Sequence, residues 1–170
     1  MNRKNQKGFS LIELLIVVVI IGIIAAIAIP NLLAARRSAN EGSAVSAMRT
    51  LHGAQMTYQA TQGSGNYAGT EGSTGDGAGL TALSGAGLVD SVLGGGTKSG
   101  YVFVGARTAK STTEPAQFFF SALPTATEGV TQTGTRRFGI QTDGVIRGDA
   151  TLTDGQYDGD SVSTASPLAN

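Results

Sequence analysis

The chain is 170 residues long, and its 12 lysines and arginines balance its 12 aspartates and glutamates. A neutral, Gly-rich and Thr-rich chain does not resemble a nucleic-acid groove, where clustered lysines and arginines are expected, so we infer no specific nucleic acid partner. The chain has no cysteine and one histidine, which excludes disulfides and a histidine-based metal or acid–base cluster, and its serines lack a nucleophile motif. We therefore predict a protein that is not an enzyme.

The first thirty residues form three successive parts. Residues 1–8 carry three basic side chains and no acid, residues 11–29 are apolar apart from Glu13 and Gly22, and Pro30 ends the apolar run. At about 1.5 Å per residue, a helix over residues 11–29 reaches nearly the ~30 Å thickness of a membrane's hydrocarbon core. The basic leader favours a cytoplasmic amino terminus, so we predict one span with the rest of the chain outside the cytoplasm.

Three ordinary explanations of this segment compete. A secretory signal has the same order of parts, and residues 26–28 satisfy its small-x-small cleavage pattern, but signal sequences do not usually carry a carboxylate. A plain membrane anchor would span equally well without explaining Glu13. A buried core helix is disfavoured because the run is apolar on all faces. A charge in hydrocarbon costs about 2.5 to 3.5 kcal/mol, so Glu13 is treated as a functional residue.

The run Lys7-Gly8-Phe9-Ser10-Leu11-Ile12-Glu13 resembles the processing site of the bacterial type IV pilin family, which includes the pseudopilins of type II secretion. The resemblance implies that a membrane prepilin peptidase cuts between Gly8 and Phe9 and methylates the new amino terminus. It also places the family's glutamate at Glu13 and its helix-kinking proline at Pro30.

Cleavage before Phe9 would create a partner for Glu13. The new α-amino group has a reference pKa of about 7.7 to 8.0 and is largely cationic at neutral pH. In a helical stack of copies, the Glu13 carboxylate of one chain can meet the Phe9 ammonium of its neighbour, which removes both charges from apolar surroundings. Removing one partner of a buried pair costs about 3 to 5 kcal/mol, so the pair would favour the correct axial register. We therefore predict that Phe9, Glu13 and Pro30 act in assembly.

The helix is expected to continue beyond the membrane, to about residue 62. Pro30 removes one backbone hydrogen bond and is expected to bend or loosen the helix without ending it. Apolar side chains at spacings of three and four predict an amphipathic half, whose buried face carries Leu32, Leu33, Val45, Met48, Leu51 and Tyr58. We assign to the opposite, polar face Arg36, Arg37, Glu41, Arg49 and Gln55. The predicted stop is Gly63-Ser64-Gly65.

The remaining hundred or so residues are enough for one small domain. Residues 63–100 are predicted to be a Gly-rich connector with short helical turns. Short β-rich runs then predict four antiparallel strands, at 101–104, 117–123, 137–141 and 145–147, with a hairpin turn at 142–144. One face of this sheet would pack on the amphipathic helix, which gives an α+β fold with a long amino-terminal helix. The family resemblance implies the same ladle shape.

These patterns divide the chain into six segments. We predict a leader at 1–8, a transmembrane half-helix at 9–29, an amphipathic half-helix at 30–62, the connector at 63–100, the sheet at 101–148 and an acidic tail at 149–170.

The tail contains no lysine or arginine after Arg147, while aspartates alternate with glycines. Without a disulfide, this tail must be held by packing, by a metal, or only loosely. Carboxylates among glycines can fold around Ca²⁺, which takes six to eight oxygen ligands, so Asp154, Asp158 and Asp160 are candidate calcium ligands. Major pseudopilins are similar in binding calcium through an acidic loop. The spacing is not that of an EF-hand, and a solvated acidic turn is the alternative.

Two functions follow from the resemblance. One is a pilus subunit, a homo-oligomer in a helical surface filament for adhesion, twitching motility or DNA uptake; the other is a type II secretion pseudopilin that drives protein export. A membrane-anchored monomer that shares the processing signal is a third. For the first two, the resemblance implies storage in inner-membrane lipid, a prepilin peptidase, an assembly platform protein and a cytoplasmic ATPase. The assembled product would lie on the cell surface, or in the periplasm for a pseudopilin.

Overall fold

Residues 8–168 are described by a computed structural model, in which the chain divides into two compact units, Met1–Arg36 and Arg37–Asn170. The basic leader side chains Arg3, Lys4 and Lys7 lie outside the described residues. Within the described part of the first unit, the chain is helical from Leu11 onward. The second unit contains the sheet and the other helices.

Helix α1 runs over Leu11–Thr61 and confirms the predicted long helix. It starts two residues after Phe9 and continues through Pro30. At its end, the backbone N–H groups of Gln62 and Gly63 both donate to the Tyr58 carbonyl, at 2.9 and 2.8 Å. Gly65 then adopts a φ of +88°, a left-handed conformation that glycine takes at little cost, so the helix ends where the Gly-Ser-Gly stop predicts.

The sheet has five antiparallel strands in the order β1-β2-β3-β4-β5. They are β1 Thr97–Lys98, β2 Tyr101–Thr108, β3 Gln117–Pro124, β4 Arg137–Gln141 and β5 Ile146–Asp149. The four predicted strands and the α+β class are confirmed, while the two-residue β1 was not predicted. The turn between β4 and β5 closes with a 2.9 Å bond from Gly144 N–H to the Gln141 carbonyl.

One face of the sheet packs on the second half of α1. Phe118, Phe120 and Ala122 alternate along β3 toward a core that also contains Met48 and Leu51 of the helix. All five side chains are almost fully buried. This is the face that the Phe and Ile pattern predicted, and aliphatic and aromatic burial against the helix supplies the main stabilising free energy.

The other face of the sheet is covered by the carboxyl-terminal segment, which the sequence did not reveal. This segment forms a 3₁₀ turn, Leu152–Asp154, and helix α4, Gly159–Thr164. Tyr157 and Val162 pack there against Phe119 and Ala106. A Cβ at Gly139 would lie 2.9 Å from Val162 Cγ2, so glycine permits this close approach. Because both faces are covered, Phe118, Phe119 and Phe120 are buried in succession.

The connector is more ordered than a flexible linker. It forms helices α2, Ala78–Gly85, and α3, Ser91–Gly94, whose Leu80, Leu83 and Leu93 join the core. Residues 70–76 also run along the free edge of β2, where Asp76 and Gly105 exchange two backbone hydrogen bonds of 2.9 and 2.8 Å. The connector thereby covers an edge that would otherwise be open to another chain.

Three residues of the predicted helix faces were assigned wrongly. Glu41 and Gln55, assigned to the polar face, are 8% and 1% exposed, whereas Leu32, assigned to the buried face, is 68% exposed. Periodicity alone assigns polar side chains to solvent, but a polar side chain can be buried when partners for its hydrogen-bonding atoms offset the cost of desolvation. Glu41 and Gln55 both meet that condition.

Candidate assembly segment and the anchoring of the globular unit

The apolar part of α1 has no partner surface within the described first unit. Phe9 is 88% exposed, and each large apolar side chain from Leu11 to Ile29 is at least half exposed. In the described chain this is the one helix long and apolar enough to cross a membrane. So much exposed apolar surface marks a membrane or protein contact.

Glu13 lies in the first turn of α1, and its carboxylate Oε2 accepts a 2.9 Å hydrogen bond from Ser10 N–H. A carboxylate in this position satisfies one of the free N–H groups at the helix start and interacts favourably with the helix dipole. Among the described residues, no cation forms an ion pair with Glu13. Gly8 and Phe9 precede the helix, five and four residues before Glu13 in the sequence.

Pro30 lies inside α1 and has no N–H to donate to the preceding turn. One residue later, the Asn31 side-chain Nδ2 donates to the Ile27 carbonyl at 3.2 Å. This side-chain bond supplements the backbone bonds in the turn that the proline weakens.

Glu41 is a buried anchor that the sequence did not reveal. Its Oε1 accepts bonds from the backbone N–H and hydroxyl of Thr135, at 2.8 and 2.6 Å, and its Oε2 lies 2.9 Å from Arg136 Nη2. Burial alone would raise the pKa of Glu41, but the bonds from Thr135 and Arg136 outweigh burial and lower it. Nearby, Asn40 Nδ2 donates 2.8 Å to the Thr133 carbonyl. The loop before β4 is therefore fastened to α1.

Gln55 fastens the connector to the same helix. Its side-chain amide exchanges two 2.8 Å bonds with the backbone of Ala68, donating from Nε2 to the carbonyl and accepting at Oε1 from the N–H. Both backbone groups of one buried residue, Ala68, are thus satisfied by one side chain. A buried glutamine opposite an irregular glycine-rich segment gives no periodic signal in the sequence.

Arg137 fastens the acidic tail. Its guanidinium binds both carboxylate oxygens of Asp149, at 3.0 and 3.1 Å, approaches Asp154 Oδ2 at 3.3 Å and donates 3.0 Å to the Gly155 carbonyl. It also lies 4.1 Å from the centroid of the Tyr157 ring. The side chain is 8% exposed, so Arg137 supplies a buried cation to a tail that has none of its own.

The electrostatics of this cluster are strongly coupled. Burial raises the pKa of Asp149, but hydrogen bonds from Arg137 and from the Tyr157 hydroxyl, the latter 2.6 Å long, outweigh burial and lower the pKa to about 2. Burial and the bond to Asp149 raise the pKa of Tyr157 to about 12. Asp149 is therefore ionised and Tyr157 neutral over the physiological pH range.

The three candidate calcium ligands are not brought together. Asp154 lies beside Arg137, Asp158 caps α4 by accepting a 2.7 Å bond from Ser161 N–H, and Asp160 lies in the first turn of that helix. In the part of the chain that the structure describes, no group of three or more acidic, histidine or cysteine side chains has a metal-binding arrangement. In the described residues, packing and Arg137 hold the tail.

The comparisons with known proteins match part of the chain. A profile described as the prokaryotic N-terminal methylation motif matches residues 3–29. The chain is 68% identical over 38 residues to the type IV wide pilus major component PilA4 of Thermus thermophilus, which is 22% of this chain and 29% of that protein. It is 46% identical over 54 residues to the type IV major pilin protein PilA of Myxococcus xanthus, 32% of this chain and 24% of that protein.

A second group of relatives belongs to another system. The chain is 37% identical over 59 residues to the type II secretion system core protein G of Aeromonas hydrophila, which is 35% of this chain and 41% of that protein. The matched regions thus span less than half the length of each of these relatives. No solved structure matches the chain significantly.

Proposed function

Because its amino-terminal segment is that of the type IV pilin and type II pseudopilin family, we propose that this chain is the structural subunit of a type IV pilus. In this proposal, prepilin peptidase cleaves between Gly8 and Phe9 and methylates Phe9. The mature subunit then polymerises through its amino-terminal helix into a filament on the cell surface.

One observation carries the proposal: the apolar half of α1 is exposed on all sides and contains a single carboxylate. Fully burying one large apolar side chain is worth about 1.5 to 3 kcal/mol, so this half-helix strongly favours either lipid or other copies of itself. Before assembly its partner is inner-membrane lipid, with the amino terminus in the cytoplasm. After assembly its partners are the equivalent helices of neighbouring subunits.

Glu13 sets the register in this proposal. Among the described residues, its carboxylate has one backbone donor, Ser10 N–H, and forms no ion pair. A carboxylate accepts several hydrogen bonds, so it retains capacity for the Phe9 ammonium of a neighbouring subunit. Slipped arrangements would leave two buried charges unpaired, at a cost of about 3 to 5 kcal/mol, and only the correct stagger avoids that cost.

Assembly in this proposal needs partners beyond the chain itself. They are the prepilin peptidase, a platform protein in the inner membrane and a cytoplasmic ATPase. The filament would serve adhesion, twitching motility or DNA uptake. Similarity to PilA4 and PilA, named as major pilus components, supports the pilus form.

The second candidate is a type II secretion pseudopilin in the periplasm. Its support is the similarity to core protein G, which extends over 59 residues and therefore beyond the methylation motif. Deleting the gene distinguishes the two candidate functions. If the chain is a pilus subunit, the deletion abolishes surface filaments and leaves protein secretion intact. If the chain is a pseudopilin, the deletion blocks protein secretion and leaves surface filaments intact.

The processing step is tested by mass spectrometry of the mature protein. The proposal expects an amino-terminal methylated Phe9. A mature start at Ile29 would instead identify an ordinary secretory signal, because cleavage after Ala28 follows the small-x-small pattern of residues 26–28. Such cleavage would remove the helix that builds the filament in this proposal.

The assembly step is tested with Glu13→Ala, with Glu71→Ala as the matched control because Glu71 is an exposed carboxylate of the globular unit. We expect Glu13→Ala to be cleaved normally and to yield few or no filaments by electron microscopy of sheared material, while Glu71→Ala assembles normally. Abundant filaments from Glu13→Ala would refute the register role.

A further inference from the structure

Four aspartates of the chain are followed directly by glycine: Asp76, Asp143, Asp154 and Asp158. In such a pair the glycine nitrogen can attack the aspartate carboxyl group without an enzyme and close a cyclic imide, because glycine has no side chain to shield the nitrogen or to restrict the backbone. The attack needs a free glycine N–H and a neutral carboxyl group. Hydrogen bonds that hold either group therefore protect the pair.

The pair Asp143–Gly144 is protected at both groups. Arg147 donates to the two carboxylate oxygens of Asp143, at 2.7 and 3.2 Å, and holds the pKa of this carboxyl group below its usual range. The Gly144 N–H donates to the Gln141 carbonyl at 2.9 Å. Ring closure would have to break the hydrogen bond of the nitrogen and protonate a carboxylate that Arg147 keeps ionised.

The pair Asp154–Gly155 in the tail is also bound at both groups. The Gly155 N–H donates to the Leu152 carbonyl at 3.2 Å, and Asp154 Oδ2 lies 3.3 Å from Arg137 Nη2. The nitrogen and the carboxyl group are therefore each held by the fold.

The pair Asp158–Gly159 starts helix α4 and is held in a similar way. The Gly159 N–H donates to the Ser73 carbonyl at 3.2 Å. Asp158 Oδ1 accepts bonds from the N–H and the hydroxyl of Ser161, at 2.7 and 2.6 Å, and these bonds lower the pKa of the Asp158 carboxyl group.

The pair Asp76–Gly77 differs from the other three. Asp76 is exposed, and within the described residues its carboxylate forms no ion pair and accepts one bond, from the Ala78 N–H at 2.9 Å. No described residue accepts the Gly77 N–H. A Cβ at Gly77 would meet nothing within 4 Å, so the space beside this glycine is open. The fold thus leaves the attacking nitrogen free at this one pair.

We propose that Asp76 is a site of spontaneous conversion to isoaspartate through a cyclic imide closed by the Gly77 nitrogen. The nitrogen attacks Cγ of the neutral carboxyl group, the N–Cγ bond forms and the Cγ–OH bond breaks, and the hydroxyl group leaves with the amide proton as water. Water then adds to one of the two ring carbonyls and opens the ring. Opening at Cγ restores aspartate, while opening at the original main-chain carbonyl leaves isoaspartate, whose main chain runs through Cβ and Cγ.

The conversion would loosen the connector at the edge of β2. The Asp76 carbonyl accepts the Gly105 N–H at 2.8 Å, and the Asp76 carboxylate accepts the N–H of Ala78, the first residue of α2. In isoaspartate the former carbonyl belongs to a free carboxylate and Cγ belongs to the main chain, so both bonds lose their geometry. The site belongs to the single subunit, and a chain that failed to assemble would still contain it. The proposal is therefore independent of the filament function.

The test is ageing of the full chain in detergent micelles at neutral pH in H₂¹⁸O. Peptide mapping with electron-transfer fragmentation then distinguishes isoaspartate from aspartate. We expect isoaspartate at Asp76 to form about tenfold or more faster than at the other three pairs, because each of those must first break a hydrogen bond of its glycine. The product should carry one ¹⁸O from the opening of the ring. Hydrogen exchange of the Gly105 amide should be faster in the aged chain.

Gly77→Ala is the matched variant. Gly77 has a φ of −87° and a ψ of −4°, which alanine also adopts, and its added Cβ meets nothing, so the variant should fold normally. Its methyl group shields the nitrogen and should slow the conversion severalfold. In the urea-unfolded chain we expect the four pairs to convert at similar rates, which separates the effect of the fold from that of the sequence.

Three results would overturn the proposal: no isoaspartate at Asp76, equal conversion of the four pairs in the folded chain, or isoaspartate without ¹⁸O. Unchanged exchange of the Gly105 amide in a converted chain would overturn the loosening of the connector.

Discussion

Replacing Arg137 by glutamine should detach the acidic tail from the sheet. The substitution removes the cation that binds Asp149, Asp154 and the Gly155 carbonyl. Despite burial, the pKa of Asp149 lies at about 2 instead of its ordinary 3.8, chiefly because of Arg137 and also because of bonds from Tyr157 and Thr151. The whole difference would correspond to about 2.4 kcal/mol in a fully buried site, which is an upper bound for Arg137. Since the Asp149 side chain is 36% exposed, solvent screening reduces this to about 1–2 kcal/mol.

The other contacts of Arg137 add to this value. The stacking on Tyr157 is worth about 0.5–1 kcal/mol, and the bond to the Gly155 carbonyl adds a similar amount. We therefore expect Arg137→Gln to lower the free energy of unfolding by about 3 kcal/mol. Urea unfolding of the full chain in detergent, followed by near-ultraviolet circular dichroism of the tyrosines, measures the loss, with Arg49→Gln as the exposed control.

The dependence on pH provides the sharper test. The folded-state pKa of Asp149 lies below its unfolded value, so the contribution of the Arg137–Asp149 pair is fully present above about pH 5. It is lost as the pH falls through about 4 toward 2. The gap in stability between the natural chain and Arg137→Gln should narrow over that range. A loss below about 1 kcal/mol at pH 7, or a gap that does not change with pH, would refute the reasoning.

Two further predictions concern the helix and the tail. Gly42 and Gly53 lie on the exposed side of α1, where an added Cβ would meet nothing within 4 Å. Changing each to alanine should raise the free energy of unfolding of the globular unit by about 0.5–1 kcal/mol, as measured by urea unfolding. Gly139→Ala should lower it, because the added Cβ would meet Val162. Because packing and Arg137 hold the tail in the fold, we expect neither a chelator nor added Ca²⁺ to move the melting temperature. A rise of more than about 2 °C with Ca²⁺ would support a metal site among Asp154, Asp158 and Asp160.

The parts of the fold that follow local periodicity could be predicted from the sequence. The long helix, its Gly-Ser-Gly stop and four strands all carry repeating apolar patterns or glycine signals that act within a few residues. Strand β1 was missed because its two residues, Thr97 and Lys98, have no apolar pattern and pair only through the backbone of β2. The second covered face of the sheet was also missed, although the uninterrupted run of Phe118 to Phe120 was a signal for it.

The anchors of the globular unit could not be predicted in the same way. Glu41 bonds to residues 94 and 95 positions away, and Gln55 bonds to the backbone of a residue 13 positions away, so their burial depends on tertiary contacts. A partial signal existed for Arg137. The tail has several acids and no base of its own, so its cation had to come from upstream if the tail was to pack at all.

Two carboxylates of the same helix, Glu41 and Glu13, provide an internal comparison. Glu41 is buried in the globular unit and finds a hydroxyl, an N–H and an arginine within its own chain. Glu13 lies in the segment that has no partner surface of its own, and the described chain offers it one N–H and no cation. Burying an unpaired carboxylate is costly in lipid and in a helix bundle alike, so the assembly proposal assigns Glu13 a cation from a neighbouring subunit. The amino group that the proposed cleavage after Gly8 would release is that cation, which is why the processing and the assembly proposals depend on each other.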